Sequence, residues 1–393
     1  MTAGRVLVYV QHLLGTGHLK RAALLVDALT RAGQSVTLVS GGFPVPGLPI
    51  NAARFVQLPP VGAADMTFKS LVDERGQPVD DGFRQRRRDI LLAVWQDARP
   101  QLLLVELFPF GRRQMRFELL PLLEAARSSA HPPVIVSSVR DVLGGQADPE
   151  RHQRMLDLFN RYFDHVLVHG DPALVPFERT FTYAQQLGQR LHYTGYVVDR
   201  AFEPTPGSPD DTTGRGEVIV SAGGGAVGAP VLEAAIRARP LSTLTDVRWR
   251  VLVGAGIGER QFAQLVLLAQ ELNSDGVVVE RNRPDFTALL RRCRLSISQA
   301  GYNTVLETLQ AGARCVLVPF AGAGETEQTL RARILAERGW IDMVQEDGLT
   351  ARALAQVVDR AAARPARAQH ALRLDGADTS ARLMLQWLQQ SAP

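Results

Sequence analysis

Hydrophobic residues along this chain follow two alternating rhythms. Short continuous apolar runs begin at Arg5 (RVLVYV), Ser35 (SVTLVS), Leu102 (LLLVEL), Val134 (VIVSSV) and His165 (HVLVHG). Parallel strands covered on both faces read as unbroken runs of this kind. Between them, apolar residues recur at helical spacing. HLKRAALLVDALTRAG is one such stretch, closed by Gly33, and further helices are predicted over 83–98, 119–126 and 149–163. Residues 41–82 are richer in Pro and Gly, with FVQLPP as the one expected strand and long loops around it.

The rhythm stops between Asp199 and Gly216, where Pro, Gly, Asp and Thr leave too little apolar surface for a core. It restarts at EVIVSAGGGAVG. Helices over 229–238, 259–272 and 284–292 then separate the strands WRVLVG, VVVE and LSIS. The stretch from Ser298 to Gln328 adds a short helix carrying Glu307, a stop at Gly312, the strand CVLVPF, and a glycine-bearing loop that opens another helix. Alternation of this kind predicts an α/β fold. We expect two doubly wound domains facing each other across a cleft: 1–198, a linker over 199–216, and 217–376. A tail helix within 377–393 is expected to pack back on the first domain.

Composition fits that picture. An apolar content of 46% and a charged content of 21% are ordinary for a globular enzyme, and 393 residues exceed one core of usual size. The formal charge of +4 comes without a concentrated basic stripe, which argues against nucleic acid as a partner. Arg84, Arg86, Arg87 and Arg88 form one run, read as a solvated helix face. Cys293 and Cys315 make neither a disulfide framework nor a metal cluster and are expected in a core within a reducing compartment. With no export signal and no apolar run near 18 residues, a cytoplasmic location is expected.

The loop Gly15-Thr16-Gly17-His18 joins the first strand to the first helix. Its amides can serve an anion or an oxygen-rich acceptor, and His18 can take a proton from a hydroxyl. Capping of the helix explains His18 equally well. A histidine base needs an orienting partner, and Glu106, at the end of LLLVEL, is favoured over Asp141. Gly223-Gly224-Gly225, directly after a strand, can expose amides to a diphosphate. Asn303 and Glu307 share a helix face, where a carboxylate can hold a vicinal diol or simply offset the helix dipole. Glu327 and Gln328 can hold sugar hydroxyls in the same way. No spacing of His, Cys or Asp suggests a metal, so no cofactor is expected beyond a nucleotide sugar as substrate.

These residues resemble those of MurG-type glycosyltransferases of the GT-B fold. The likeness rests on SQAGYNTVLETLQAGARCVLVPFAGAGETEQ, on the GTGH loop and on the GGG loop. YVQHLLGTGHLKRA, VSGGFPVPGL and ELFPFGRRQMRFELLPLLEAAR are closest to a group of bacterial predicted glycosyltransferases of unknown acceptor. The resemblance implies transfer of a sugar, without a metal and with inversion, from a nucleotide diphosphate sugar to an acceptor hydroxyl. It places the diphosphate at Gly223, Gly224, Gly225, Ala300 and Gly301, with Asn303 and Thr304 beside them. Glu307 would hold the ribose, Glu327 and Gln328 the sugar, and Arg281 would lie by the base. His18 would be the base or touch the acceptor. The family's N-terminal loop often has a further glycine where this chain reads Leu14-Gly15-Thr16-Gly17. A nucleotide-sugar hydrolase or epimerase, or a non-catalytic sugar-nucleotide-binding module, remains an alternative on the same fold. Phe108, Phe110, Arg112 and Arg113 form either an edge for a membrane-bound acceptor at the inner membrane face or ordinary core and surface.

Overall fold

The computed structural model describes residues 3–13, 15–64, 70–144, 148–199, 212–224, 227–272, 275–322, 326–364 and 372–390. Gly225, most of the expected linker and Leu14 lie outside the described residues. The chain divides into two units, Met1–Val198 with Arg373–Pro393, and Asp199–Leu372.

In the first unit, β1 (Arg5–Val10), β2 (Ser35–Ser40), β3 (Arg54–Gln57), β6 (Leu102–Glu106), β7 (Val134–Arg140), β8 (His165–His169) and β9 (Leu191–Tyr193) form one sheet. Its order is β3-β2-β1-β6-β7-β8-β9, with every pairing parallel. A small antiparallel pair, β4 (Gly62–Ala63) and β5 (Leu71–Val72), lies in the segment that the periodicity left unread. The crossover helices are α1 (Gly17–Arg31), α2 (Asp81–Ala98), α3 (Arg116–Arg127) and α4 (Pro149–Tyr162).

The unbroken apolar character of β1 has a direct cause. Successive side chains point to opposite faces. Leu7 and Tyr9 join the core beneath α2, α3 and α4, while Val6, Val8 and Val10 join the one beneath α1. Helix starts carry their own signals. Asp80 accepts from the Phe83 amide at 2.6 Å and Asp148 from the Arg151 amide at 3.1 Å, supplying a partner for donors the helix leaves open.

The second unit repeats the plan with β10 (Val218–Ser221), β11 (Trp249–Val253), β12 (Val277–Arg281), β13 (Leu295–Gln299), β14 (Cys315–Val318) and β15 (Asp342–Met343). The order is β12-β11-β10-β13-β14-β15, again all parallel. Its helices are α5 (Ala229–Ala238), α6 (Glu259–Glu271), α7 (Phe286–Arg292), α8 (Tyr302–Gln310), α9 (Glu327–Glu337) and α10 (Ala351–Ala363). α11 (Gly376–Gln390) lies on the first unit: Ala381, Met384 and Trp387 complete the core under α1, and the Trp387 ring stacks on His165 at 3.9 Å. Cys315 is buried and Cys293 half-buried, where burial pushes the thiol up to about 12.

One reading of a side chain needs correction, and one open alternative is decided. Arg87 is not on a solvated face but fully buried. Its guanidinium meets Glu118 through Nε at 2.8 Å and Nη2 at 2.7 Å, and donates to the carbonyls of Gly41 and Pro59 and to Gln11 Oε1. Tyr9 donates to the same carboxylate at 2.5 Å. One buried cation thus ties the loops that follow β1, β2 and β3. Phe108 and Phe110, considered for a membrane edge, are core residues, with Phe110 packed against Phe159, Phe177 and Phe181.

Arg87→Met should therefore destabilise the first unit by about 3–5 kcal/mol, because Glu118 keeps its charge in the core without the counter-charge. Arg86→Ala on the exposed side of the same helix should cost no more than about 0.5 kcal/mol. Urea midpoints of the two variants check the contrast.

Candidate active site

Both sheets reverse strand order at one place, between β1 and β6 in the first unit and between β10 and β13 in the second. Loops leaving adjacent strands in opposite directions open a crevice there. His18 and Glu106 stand at the first reversal. Gly223, Gly224, Ala300 and Gly301 stand at the second.

At the first reversal, Gly15 and Thr16 are exposed, Gly17 is half-buried, and His18 sits in the opening turn of α1. Thr16 makes no side-chain cap. Glu106, at the last position of β6 and 2% exposed, brings Oε1 to 2.9 Å from His18 Nδ1. Arg21, one helical turn beyond His18 and also buried, pairs with the same oxygen, its Nη2 lying 3.1 Å from Nδ1. Ser138 of β7 donates to Oε2 at 2.6 Å. Behind it, His169 Nε2 is 2.9 Å from Ser138 Oγ, and His169 Nδ1 is 2.9 Å from Thr194 Oγ1.

The electrostatics follow from this packing. Burial acts to raise the Glu106 carboxyl, but Arg21, His18 and Ser138 outweigh it and hold the group well below the usual carboxylate range. Burial, then the charge of Arg112, holds His18 well below the usual histidine value. An ionised carboxylate only accepts. Donation of Nδ1–H to Glu106 would leave the lone pair of a neutral imidazole on Nε2. Arg112 donates Nε–H to the Gln11 carbonyl at 2.7 Å, and burial brings its guanidinium down to about 10. Asp141, the other carboxylate weighed from the sequence, is fully buried against Gly170.

Sequence reading missed Arg21, Ser138, His169 and Thr194. A signal was present: the register pairs Glu106 with Ser138, and His169 ends the next parallel strand, so polar residues close three neighbouring strands.

At the second reversal, Gly223 adopts φ +72°, a conformation suited to glycine, and its amide donates to Ser221 Oγ at 3.2 Å. Gly254 was not singled out by the sequence, yet a Cβ there would lie 2.1 Å from the Gly223 carbonyl oxygen. Gly301 precedes α8, whose first amides have no partner within the helix. The Ala300 amide is already used by the Val318 carbonyl at 3.3 Å, so Ala300 shapes the turn and offers no donor. Asn303, Thr304 and Glu307 are half-buried on α8, with Thr304 Oγ1 3.7 Å from where a Cβ of Gly223 would stand.

Three expected donor contacts have partners inside the protein. Glu327 is buried against Arg331 at 2.8 Å, and Gln328 Oε1 accepts from the Phe320 amide at 3.0 Å. Arg281 donates to the Ile257 carbonyl at 2.8 Å, pairs with Glu259 and lies over the Phe262 ring. Among the described residues, no three His, Cys, Asp or Glu side chains converge as a metal would require, and no helix is long and apolar enough to cross a membrane.

Residues 219–381 match the glycosyltransferase family 28 C-terminal domain. The chain is similar to MurG-type transferases. It is 28% identical over 173 residues to the UDP-N-acetylglucosamine–N-acetylmuramyl-(pentapeptide) pyrophosphoryl-undecaprenol N-acetylglucosamine transferase of Phenylobacterium zucineum, covering 43% of this chain and 46% of that protein. It is 32% identical over 194 residues to the corresponding transferase of Acidithiobacillus ferrooxidans, covering 49% and 52%. The matches thus span about half the length of these relatives. Among solved structures, Acinetobacter baumannii MurG superposes with a TM-score of 0.60 at 15% identity, over 97% of this chain and 99% of the other. The calicheamicin glycosyltransferase CalG4 gives 0.59 at 19% identity, over 99% and 95%. Both likenesses establish the fold, which is GT-B with two Rossmann-like units.

Gly254→Ala should destabilise the second unit by roughly 1–3 kcal/mol, since the new methyl forces the Gly223 carbonyl to move. Gly224→Ala should leave the melting temperature unchanged, because a Cβ there meets nothing within 4 Å. Thermal unfolding of the two variants separates a packing demand from a mere run of glycines.

Proposed function

We propose that this chain transfers a sugar from a nucleotide diphosphate sugar, UDP-linked, to an acceptor hydroxyl, with inversion at the anomeric carbon and without a metal. The observation that carries the reading is the His18–Glu106 pair, which leaves Nε2 as a neutral base at the strand-order reversal. His18 removes the hydroxyl proton. The acceptor oxygen forms its bond to the anomeric carbon as the bond to the diphosphate oxygen breaks, and the imidazolium is stabilised by Glu106.

The second unit holds the donor. The Gly223 turn, the amides of Gly224 and Gly301 and the positive end of α8 would hold the departing diphosphate, where fixed dipoles need no reorganisation. Glu307 holds the ribose, with Asn303 and Thr304 beside it. Glu327, Gln328 and Arg281 act through the loops they brace, at the sugar and base ends of the donor. The family 28 match and the UDP-sugar named for the transferases of Phenylobacterium and Acidithiobacillus support the nucleotide assignment. The acceptor belongs to the first unit, at Gly15, Thr16, Gly17 and His18. The pyrophosphoryl-undecaprenol acceptor named for those transferases supports an acceptor presented at the inner face of a membrane.

A thermal-shift panel of nucleotide sugars should single out UDP-linked donors, because a ligand bound only by the folded state raises its stability. His18→Ala should lower transfer by about 10²–10⁴-fold while UDP affinity by calorimetry stays within about twofold. Loss of UDP binding in that variant would remove the role given to His18. Release of free sugar without any acceptor would mark hydrolysis instead. The depressed histidine also sets the pH response: its neutral form persists as pH falls through about 6.5, the ordinary value, so the acid limb of the transfer rate should lie below it.

A further inference from the structure

Two groups compete for one nitrogen beside Glu106. Nδ1 of His18 stands 2.9 Å from the carboxylate oxygen Oε1 and 3.1 Å from Nη2 of Arg21. The two contacts demand opposite tautomers. Donation to Glu106 puts the proton on Nδ1 and frees Nε2. Donation from Arg21 would require a lone pair on Nδ1, so the proton would sit on Nε2 and the imidazole could not act as a base there.

What decides the contest is the position of the carboxylate, and that position is fixed from behind. Ser138 Oγ donates to Oε2 at 2.6 Å, and its single proton is then committed. The Ser138 oxygen must accept from His169, which therefore carries its proton on Nε2. His169 Nδ1 then lies 2.9 Å from Thr194 Oγ1, whose hydroxyl also reaches the Gly195 carbonyl at 2.8 Å. Glu106, Ser138, His169 and Thr194 are all buried, so water does not substitute for a missing link. Burial also keeps His169 neutral by lowering it to about 3.

We propose that Ser138 and His169 are positioning residues that lock Glu106 in place, so that it rather than Arg21 takes Nδ1 of His18 and leaves Nε2 as the base. The importance of that choice for transfer rests on the reading of His18 given above. The choice itself does not, because a tautomer is read on the unliganded chain.

The test is ¹⁵N–¹H correlation spectroscopy of the full chain labelled at its eight histidines, with His18 and His169 assigned by His18→Gln and His169→Gln. The wild type should show opposite neutral tautomers, protonated at Nδ1 in His18 and at Nε2 in His169. In Ser138→Ala, the Nε2-protonated form of His18 should appear at a tenth of the population or more, whereas Ser138→Thr, which keeps the hydroxyl, should restore the wild-type spectrum. His169→Phe should act like Ser138→Ala. His169→Gln, which keeps an N–H donor, should act like the wild type, and this pair tests the lock even if Ser138→Ala fails to fold. An unchanged Nδ1–H signal of His18 in Ser138→Ala or His169→Phe overturns the proposal, as does an Nε2–H tautomer in the wild type. Should the tautomers follow the prediction while no UDP-sugar is ever turned over, the lock stands and the transferase reading falls.

Discussion

A single ionised carboxylate inside the first unit sets the terms for everything around it. Isolated in a low-dielectric interior, the charge of Glu106 would cost several kcal/mol. The fold meets that cost with a guanidinium and an imidazole nitrogen from α1 and a hydroxyl from β7. Each of those groups is thereby fixed in direction. On the proposed reading, the lone pair left on His18 is a by-product of satisfying Glu106, a solvation problem solved in the core.

The same economy appears one layer away, at Arg87. A buried arginine has to be fully bonded, and the partners it finds belong to the loops after three different strands and to α3. Loops over a parallel sheet are usually the mobile part of the fold. Here the stretch after β1, which leads to His18, is anchored one residue beyond the strand by Gln11. In the second unit the corresponding restraint is steric rather than ionic: Gly254 leaves room for the Gly223 carbonyl, and Arg281 braces the loop beyond it.

Much of this was legible in the residues. Continuous apolar runs marked the strands because both faces of each sheet are covered, and glycines at strand ends marked the loops at the two reversals. Glu106 stood out as a charge ending an apolar run. Arg87 did not, since helical periodicity cannot distinguish an arginine facing water from one facing a buried carboxylate 31 positions away. Ser138 and His169 looked like ordinary polar strand residues, and their meaning depends on register between strands that are far apart in sequence. Glu327 and Gln328 show the converse: their position was readable, but their internal partners Arg331 and the Phe320 amide were not. Residues such as Leu71 and Val72 carried too short a pattern for any period to emerge.

The path of the chain around the first unit has one more implication. The backbone leaves that unit at Val198 and returns at Arg373. The two points are stitched together: the Tyr196 amide donates to the Arg373 carbonyl at 2.6 Å, the Gly376 amide to the Tyr196 carbonyl at 3.0 Å, and Val197 bridges to Asp375. Topologically, the second unit is an insert whose entry and exit share one doorway. A short bridge from Val198 to Arg373 would close the first unit into an uninterrupted chain with α11 still in its core. Exchange of the second unit would need only one junction to be preserved.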